Sequence, residues 1–412
     1  MASLVRRLAA AASLAAALAP AGVAGQQATE LRVVVPRYSD ETRPLLEAVA
    51  SAFEFSHPGV EVTVDVVPWE GLFQKLTADI SAGAPPDLAV IASAWLPDLA
   101  GEGVLEPLEG HIDPALEAAV IPALLAPTRL DGGLMGLPFA ASVRALYYNE
   151  ALFEAAGIPS PPADWDALAE AAAAIAATGE GIAGFGLQGA AIETDVYFYH
   201  ALWSLGGDIL DDEGRSGLAA EPAIAAAAMY RRFIDEGLTQ PDVTAFGRAD
   251  LQALFAAGRL GMVIAAPPFA AELTSRAPSL RFGIAPVPAG VTRATYGITD
   301  SIVMFRDAPT KDAAARFLGE LFRNEWRVAF ATREQLLPTT TAAAASRGVR
   351  DDPVLAPFAG LLRDARFTPP LADWEVAADL TSAALRRIYL GEAEPAEALA
   401  AAAAEIDAVF AP

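Results

Sequence analysis

The chain has 412 residues, which at the usual ~100–200 residues per domain predicts two domains or one large bilobal unit. Its 52 acidic and 28 basic side chains give a formal net charge of −24, and Lys75 and Lys311 are the sole lysines. Nucleic acid and anionic membranes are excluded as partners, because counterion release needs clustered basic side chains. Cysteine is absent, which excludes disulfides, thiolate nucleophiles and zinc–cysteine sites, and His57, His111 and His200 are too dispersed for a zinc-protease spacing.

Residues 1–25 read as a secretory signal peptide: Arg6 and Arg7, then an apolar stretch Leu8–Ala19 interrupted by Ser13, then Pro20 and small residues, with cleavage expected near Ala24 or Gly25. That stretch is too short to span ~30 Å of hydrocarbon. The mature chain is therefore expected in the periplasm, soluble, and without a lipid anchor, since no cysteine follows the cleavage site. Leu31–Val35 reads as a buried strand. Leu45, Leu46, Val49 and Phe53 then fall on one helix face, and His57-Pro58-Gly59 stops that helix. Val60–Val66 alternates as a strand with one wetter face, Leu72–Ile80 repeats at helical spacing, and Leu88–Ala92 is a third strand. This order predicts a parallel sheet that binds ligand at its carboxyl ends: Pro36–Glu41, Pro68–Glu70 and Ser93–Trp95.

A second α/β unit begins near Arg144. Strands are predicted at Leu146–Tyr148, Phe185–Leu187, Gly261–Ala265 and Arg281–Ile284, and helices at Glu150–Ala156, from Asp164 to about Ala177, through His200–Leu205, and at Pro222–Glu236 and Ala249–Ala257. The end is helical, at Asp312–Leu321, Asn324–Phe330, Trp374–Tyr389 and Pro395–Phe410. Pro138–Val143 and Ala289–Tyr296 are the expected crossings between lobes. One lobe is expected to comprise 29–140 plus 295–345, and the other 141–294 plus 346–412.

Several runs, in their order and spacing, resemble a known family. Ser56-His57-Pro58-Gly59-Val60-Glu61-Val62 leads through Lys75-Leu76 to Ser81-Ala82-Gly83-Ala84-Pro85-Pro86-Asp87-Leu88. Gly136-Leu137-Pro138 is followed by Leu146-Tyr147-Tyr148-Asn149, Ala156-Gly157 and Pro161-Pro162-Ala163-Asp164-Trp165. Gly206-Gly207, Phe255-Ala256-Ala257-Gly258-Arg259-Leu260-Gly261-Met262, Lys311-Asp312-Ala313-Ala314 and Glu397-Ala398-Leu399 continue the likeness, which runs from Leu31 to Phe410. The pattern is similar to the extracellular solute-binding proteins of ABC importers, in the maltose-binding-protein-like group. The resemblance implies an α/β bilobal periplasmic-binding-protein fold of type II, joined by hinge crossings. It also implies a monomer that closes on a small polar solute, foremost a mono- or oligosaccharide, and delivers it to an ABC permease in the inner membrane, with no cofactor and no catalysis.

Sugars present apolar C–H faces and a rim of hydroxyls, so a sugar site needs aromatic platforms and fixed polar partners. Trp374 opens a late helix after Pro369-Pro370 and resembles a position where the family stacks a tryptophan, or else it anchors the helix start. Trp95 and Ser93 follow the third strand; Arg37, Tyr38, Ser39 and Glu41 follow the first, where they either face ligand or cap the next helix; Trp69 follows the second. Phe139 and Ser142 lie in the first crossing, and Tyr296 and Asp300 at and just beyond the second. Asp195 and Tyr197 are placed in a polar loop before a helix. The family often has a tryptophan soon after the Gly-Met segment; Pro267-Pro268-Phe269 stands there instead, and Phe269 is the candidate aromatic wall.

Trp165, Trp203 and Trp326 lie inside helical patterns and read as packing. Gly179-Glu180-Gly181-Ile182-Ala183-Gly184 fits a dinucleotide pattern but follows a helix and precedes a strand, the reverse of what that chemistry needs. Asp208, Asp211, Asp212 and Glu213 lack the spacing of a calcium loop, and no metal site is expected. Three alternatives stay open: a secreted carbohydrate-active enzyme using a carboxylate pair, a binding protein for a non-sugar solute such as a glycerol-phosphate ester, and a chemoreceptor partner.

Overall fold

In the first strand, β1 (Thr29–Pro36), burial takes hold at Leu31 and is complete from Val33 onward. The computed structural model describes residues 28–130, 132–190 and 194–410, so the segment 1–25 read as a signal peptide lies outside the described residues. After β1, α1 (Thr42–Ser56) buries Leu45, Leu46, Val49 and Phe53. Each such side chain contributes about 1.5–3 kcal/mol on leaving water. Gly59, at φ 96°, supplies the left-handed turn into β2 (Val60–Val67), whose Glu61 and Thr63 face solvent as the alternation requires. The helix α2 (Trp69–Ser81) and the fully apolar β3 (Leu88–Ala92) complete the unit. β1 pairs parallel with both β2 and β3.

β4 (Leu137–Val143) leaves this lobe, and Arg144 alone separates it from β5 (Ala145–Asn149). The second sheet has the order β8 (Phe282–Ala285), β5, β7 (Leu260–Ala265), β6 (Ala183–Gly186). Around it pack α3 (Trp165–Ala176), α4 (Thr194–Ser204), α5 (Glu221–Asp235) and α6 (Pro268–Arg276). Asp164 caps α3 by accepting the Ala167 N–H at 2.8 Å, as its position before the apolar run predicts. Two segments differ from expectation. Pro267-Pro268-Phe269 enters α6, since proline is tolerated in a first helical turn. Asp195 and Tyr197 lie within the first turns of α4, not in a loop before it. Every residue of α4 is buried, so the segment carries no two-faced periodicity to mark its start.

The chain returns through β9 (Thr295–Phe305), eleven residues long. Its first residues pair with Ala365–Arg366, its middle runs antiparallel to β4, and its end runs antiparallel to β3. The first sheet is therefore mixed rather than wholly parallel, because β9 arrives from the other lobe and not through a helical crossover. Segment 289–294 stays with the second lobe: the Ala289 N–H donates to Ala163 O, and the Thr292 N–H to Ser204 O. The second crossing thus begins at Thr295. There the Arg144 N–H donates to Thr295 Oγ1 at 3.1 Å, and the Thr295 hydroxyl donates to Arg144 O at 2.7 Å. This pair ties the two crossings together.

Beyond β9, α7 (Lys311–Leu321) and α8 (Asn324–Glu334) place Phe317, Leu318, Leu321 and Phe330 in the core of the first lobe. The last helices, α9 (Trp374–Tyr389) and α10 (Pro395–Phe410), pack on each other and on α5 in the second lobe. The architecture is bilobal α/β. No helix of the described residues is long and apolar enough to cross a membrane.

Gly184 in β6 shows how closely the second lobe is packed. A Cβ there would lie 2.2 Å from Ala172 O, whereas one at Gly157, at φ 71°, would meet nothing within 4 Å. Gly184→Ala is expected to destabilise by about 2 kcal/mol or more through backbone collision, against about 1 kcal/mol for Gly157→Ala from the left-handed conformation alone. Denaturant unfolding of both variants checks this, and equal losses would contradict it.

Candidate functional site

A cavity of about 560 Å³ lies between the lobes. The first lobe supplies Ser93 and Ala94 at the carboxyl end of β3, the crossing strand supplies Tyr296 to Thr299, and the second lobe supplies Asp195 and Val196 from α4. The remaining wall is the Phe367–Pro370 loop and the start of α9, with Trp374, Glu375 and Asp379. Four of the residues singled out in the sequence come together here: Ser93, Tyr296, Trp374 and Asp195.

Ser93, Tyr296 and Trp374 are held from behind. The Ser93 and Ser301 hydroxyls are 2.6 Å apart, and Thr299 Oγ1 donates to Ser93 Oγ at 2.9 Å. Tyr296 packs against both Tyr199 (6.3 Å between ring centroids, 10° between planes) and Trp203 (5.7 Å, 27°), which are in contact with each other. Trp374 leans on Tyr199 at 6.2 Å and is 5% exposed, so it is at once a wall of the cavity and part of the second core. His200 fixes the backbone under this ladder by accepting the Tyr296 N–H at Nδ1, 3.3 Å away. Burial, reinforced by Arg144, pushes His200 down to about 3, so the ring is neutral and its proton sits on Nε2. Asp373 enters α9 at φ 56°, and its N–H donates across the cleft to Asp98 Oδ1 at 3.1 Å.

The other candidates stand behind or beside the cavity rather than on its lining. Tyr38 is half-buried, with Trp69, Phe139 and Phe330 around its ring at 5.9, 6.2 and 5.5 Å. Phe139 is fully buried, and its ring carries the Arg327 guanidinium at 5.0 Å. Trp95 packs edge-on against Phe73 and Trp69, on the flank of the first lobe. Arg37 is exposed, and Glu41 is exposed and faces Arg333 at 3.7 Å. Ser142 accepts from Arg144 Nη1 at 3.1 Å, and Tyr197 donates to Ile264 O at 2.7 Å. Phe269 is no wall: it is 3% exposed, between Tyr147 and Phe255 in the second core, because α6 turns it inward.

Thr299, Phe367, Glu375 and Asp379 line the cavity and are missing from the sequence reading. The two acids had a readable signal. They follow Trp374 at one and five residues, on the cavity side of the same helix. Thr299 and Phe367 had none, since their place depends on pairing across the crossings.

Asp300 sits where β9 shifts register against β4, and it accepts a 2.7 Å hydrogen bond from Tyr38 Oη. Burial pushes its carboxyl up to about 7, and the Tyr38 hydrogen bond pulls in the opposite direction. A raised folded-state pKa gives stability that is complete below the unfolded value of about 3.9 and is lost as pH rises through about 7. Relative to Asp300→Asn, the native protein should therefore lose stability between pH 4 and 7, by up to a few kcal/mol. Parallel melting curves across that window would show that Asp300 is not buried as a neutral acid.

Comparison with known proteins places the chain among binding proteins. The family described as bacterial extracellular solute-binding protein matches residues 38–328. A Brucella abortus protein named as a binding protein is 47% identical over 385 residues, 93% of this chain and 94% of the relative. A mannitol-binding protein of Pseudomonas aeruginosa is 32% identical over 187 residues, 44% of this chain and 41% of the relative. Among solved structures, the cyclic α-maltosyl-1,6-maltose binding protein of Arthrobacter globiformis superposes with a TM-score of 0.82 at 24% identity, covering 93% of this chain and 99% of that one. A solute-binding protein of Thermotoga lettingae bound to α-D-tagatose gives 0.80 at 23%, covering 93% and 100%.

Proposed function

The chain belongs to the bacterial extracellular solute-binding protein family, and from that premise we propose that it is the substrate-binding subunit of an ABC importer, taking a mono- or oligosaccharide into the interlobe cleft. The observation that carries this reading is the cavity wall. Trp374 and Tyr296 offer ring faces for the C–H side of a sugar, and Ser93 and Thr299 offer hydroxyls for its rim. Relatives named for binding mannitol and maltotriose, and structural neighbours solved with tagatose or maltose, support a polyhydroxyl ligand.

Binding proceeds without turnover. The carboxylates lining the cavity, Asp195, Glu375 and Asp379, all come from the second lobe, and Glu375 and Asp379 share one helix face. A glycosidase needs a pair flanking the scissile bond, ~5–9.5 Å apart. The protein works as a periplasmic monomer. Its lobes, 29–140 with 295–345 and 141–294 with 346–412, close by bending at the paired crossings. The ligand drives closure by its greater affinity for the closed state, and a membrane permease receives the solute.

A thermal-shift screen across sugars, polyols, sugar acids and glycerol-phosphate esters identifies the solute, since bound ligand raises stability by mass action. At saturation the radius of gyration should fall, and an unchanged radius would contradict closure. Trp374→Ala should weaken affinity by about 1–3 kcal/mol, with some loss of melting temperature because Trp374 also packs on Tyr199. Trp374→Phe should keep the packing and recover part of the affinity. Native affinity in both variants would reduce Trp374 to a core residue.

A further inference from the structure

The cavity is not balanced in charge. Glu375 and Asp379 stand one helical turn apart on α9 and both line it, while among the described residues its lining contains no arginine, lysine or histidine. Neither acid has a hydrogen-bond or ion-pair partner among the described residues. Burial pushes the Glu375 carboxyl upward, and the neighbouring charges push the same way because they are negative too, Asp379 beside it and Asp98 across the cleft. The positive end of the helix accounts for an acid in the first turn, Glu375, but its influence fades before Asp379. Trp374 adds an independent observation on the same wall. It is 5% exposed, it lines the cavity, and its indole N–H has no acceptor among the described residues, so it calls for an oxygen of the solute. An indole face beside two uncompensated carboxylates is the setting that attracts a cationic nitrogen.

Resting on the carbohydrate reading above, we propose that Glu375 and Asp379 make the cleft select by charge. Among polyhydroxyl solutes of one size it takes the form bearing a protonated amine over the neutral form, and it rejects the form bearing a carboxylate or phosphate. Closure strips water from whatever is enclosed. An anion would then face two carboxylates with no cation to compensate it, whereas an ammonium group would hydrogen-bond to both.

The test is a calorimetric and thermal-shift panel of matched sets: hexose, hexosamine and hexuronate in the gluco, galacto and manno series, with the corresponding disaccharides. Each set is measured on the native protein and on the double variant Glu375→Gln with Asp379→Asn. In every set with a binder, the amine should bind tightest and the uronate at least about tenfold more weakly than the neutral sugar. In the double variant these differences should shrink to about twofold. A uronate binding as well as its neutral partner, or an order unchanged in the double variant, overturns the charge selection and leaves the carbohydrate reading standing. A panel in which nothing binds overturns the carbohydrate reading, and this inference with it.

Discussion

The whole arrangement depends on one strand shared between two bodies. β9 begins against Arg144 and His200 in the second lobe and ends in the sheet of the first, antiparallel to β3 and β4. Strand pairing is rigid along its length and soft only where it stops. The lobes are therefore joined by a ladder of backbone hydrogen bonds that ends at a defined place, the single residue between β4 and β5 opposite Thr295. Every wall of the cavity is set relative to that place. Ser93 is one strand away, Tyr296 to Thr299 lie on the ladder itself, and Asp195 and Trp374 hang from helices packed beneath it.

The aromatic ladder explains why ring-bearing residues are a poor guide to a site when read from sequence alone. Tyr296 and Trp374 touch the cavity, while Tyr199 and Trp203, chemically alike, lie one layer below and hold them at fixed angles. In the first lobe Tyr38, Trp69, Trp95 and Phe139 form a comparable cluster that touches Asp300 and Arg327 instead of the cleft. The difference is tertiary. Tyr296 comes from the crossing strand and Trp374 from the start of α9, where both reach the cavity, whereas the first-lobe rings pack on one another away from it.

Much of the fold was legible because local rules sufficed. Strands β1 to β3 follow from alternation and apolar runs. The ends of α1, the Glu150–Ala156 helix and α3 follow from Gly59, Gly157 and Asp164, and α9 and α10 follow from helical spacing. The antiparallel entry of β9 was not legible, since strand direction is decided by a chain path of some two hundred residues rather than by its own side chains. Buried helices hide as well: α4, buried on every side, has no periodic face, and its first turn looks like a polar loop. For the site, Ser93 was picked out by its place at a strand end, Tyr296 by its place at a crossing, Asp195 by a polar segment before a helix and Trp374 by its likeness to a stacking position of the family, and all four line the cavity. The acids of α9 were overlooked because charged residues near a helix start have an ordinary explanation, and only the cavity shows which way they face.

The contact between Asp373 and Asp98 carries one more implication. Trp374 and both α9 acids travel with the second lobe, and the first lobe contributes little beyond small side chains and hydroxyls. If the two halves part, the recognising chemistry departs as one block. An arriving solute would then dock on that block first and meet Ser93 last, so capture would be sequential: anchoring on one side, then sealing from the other.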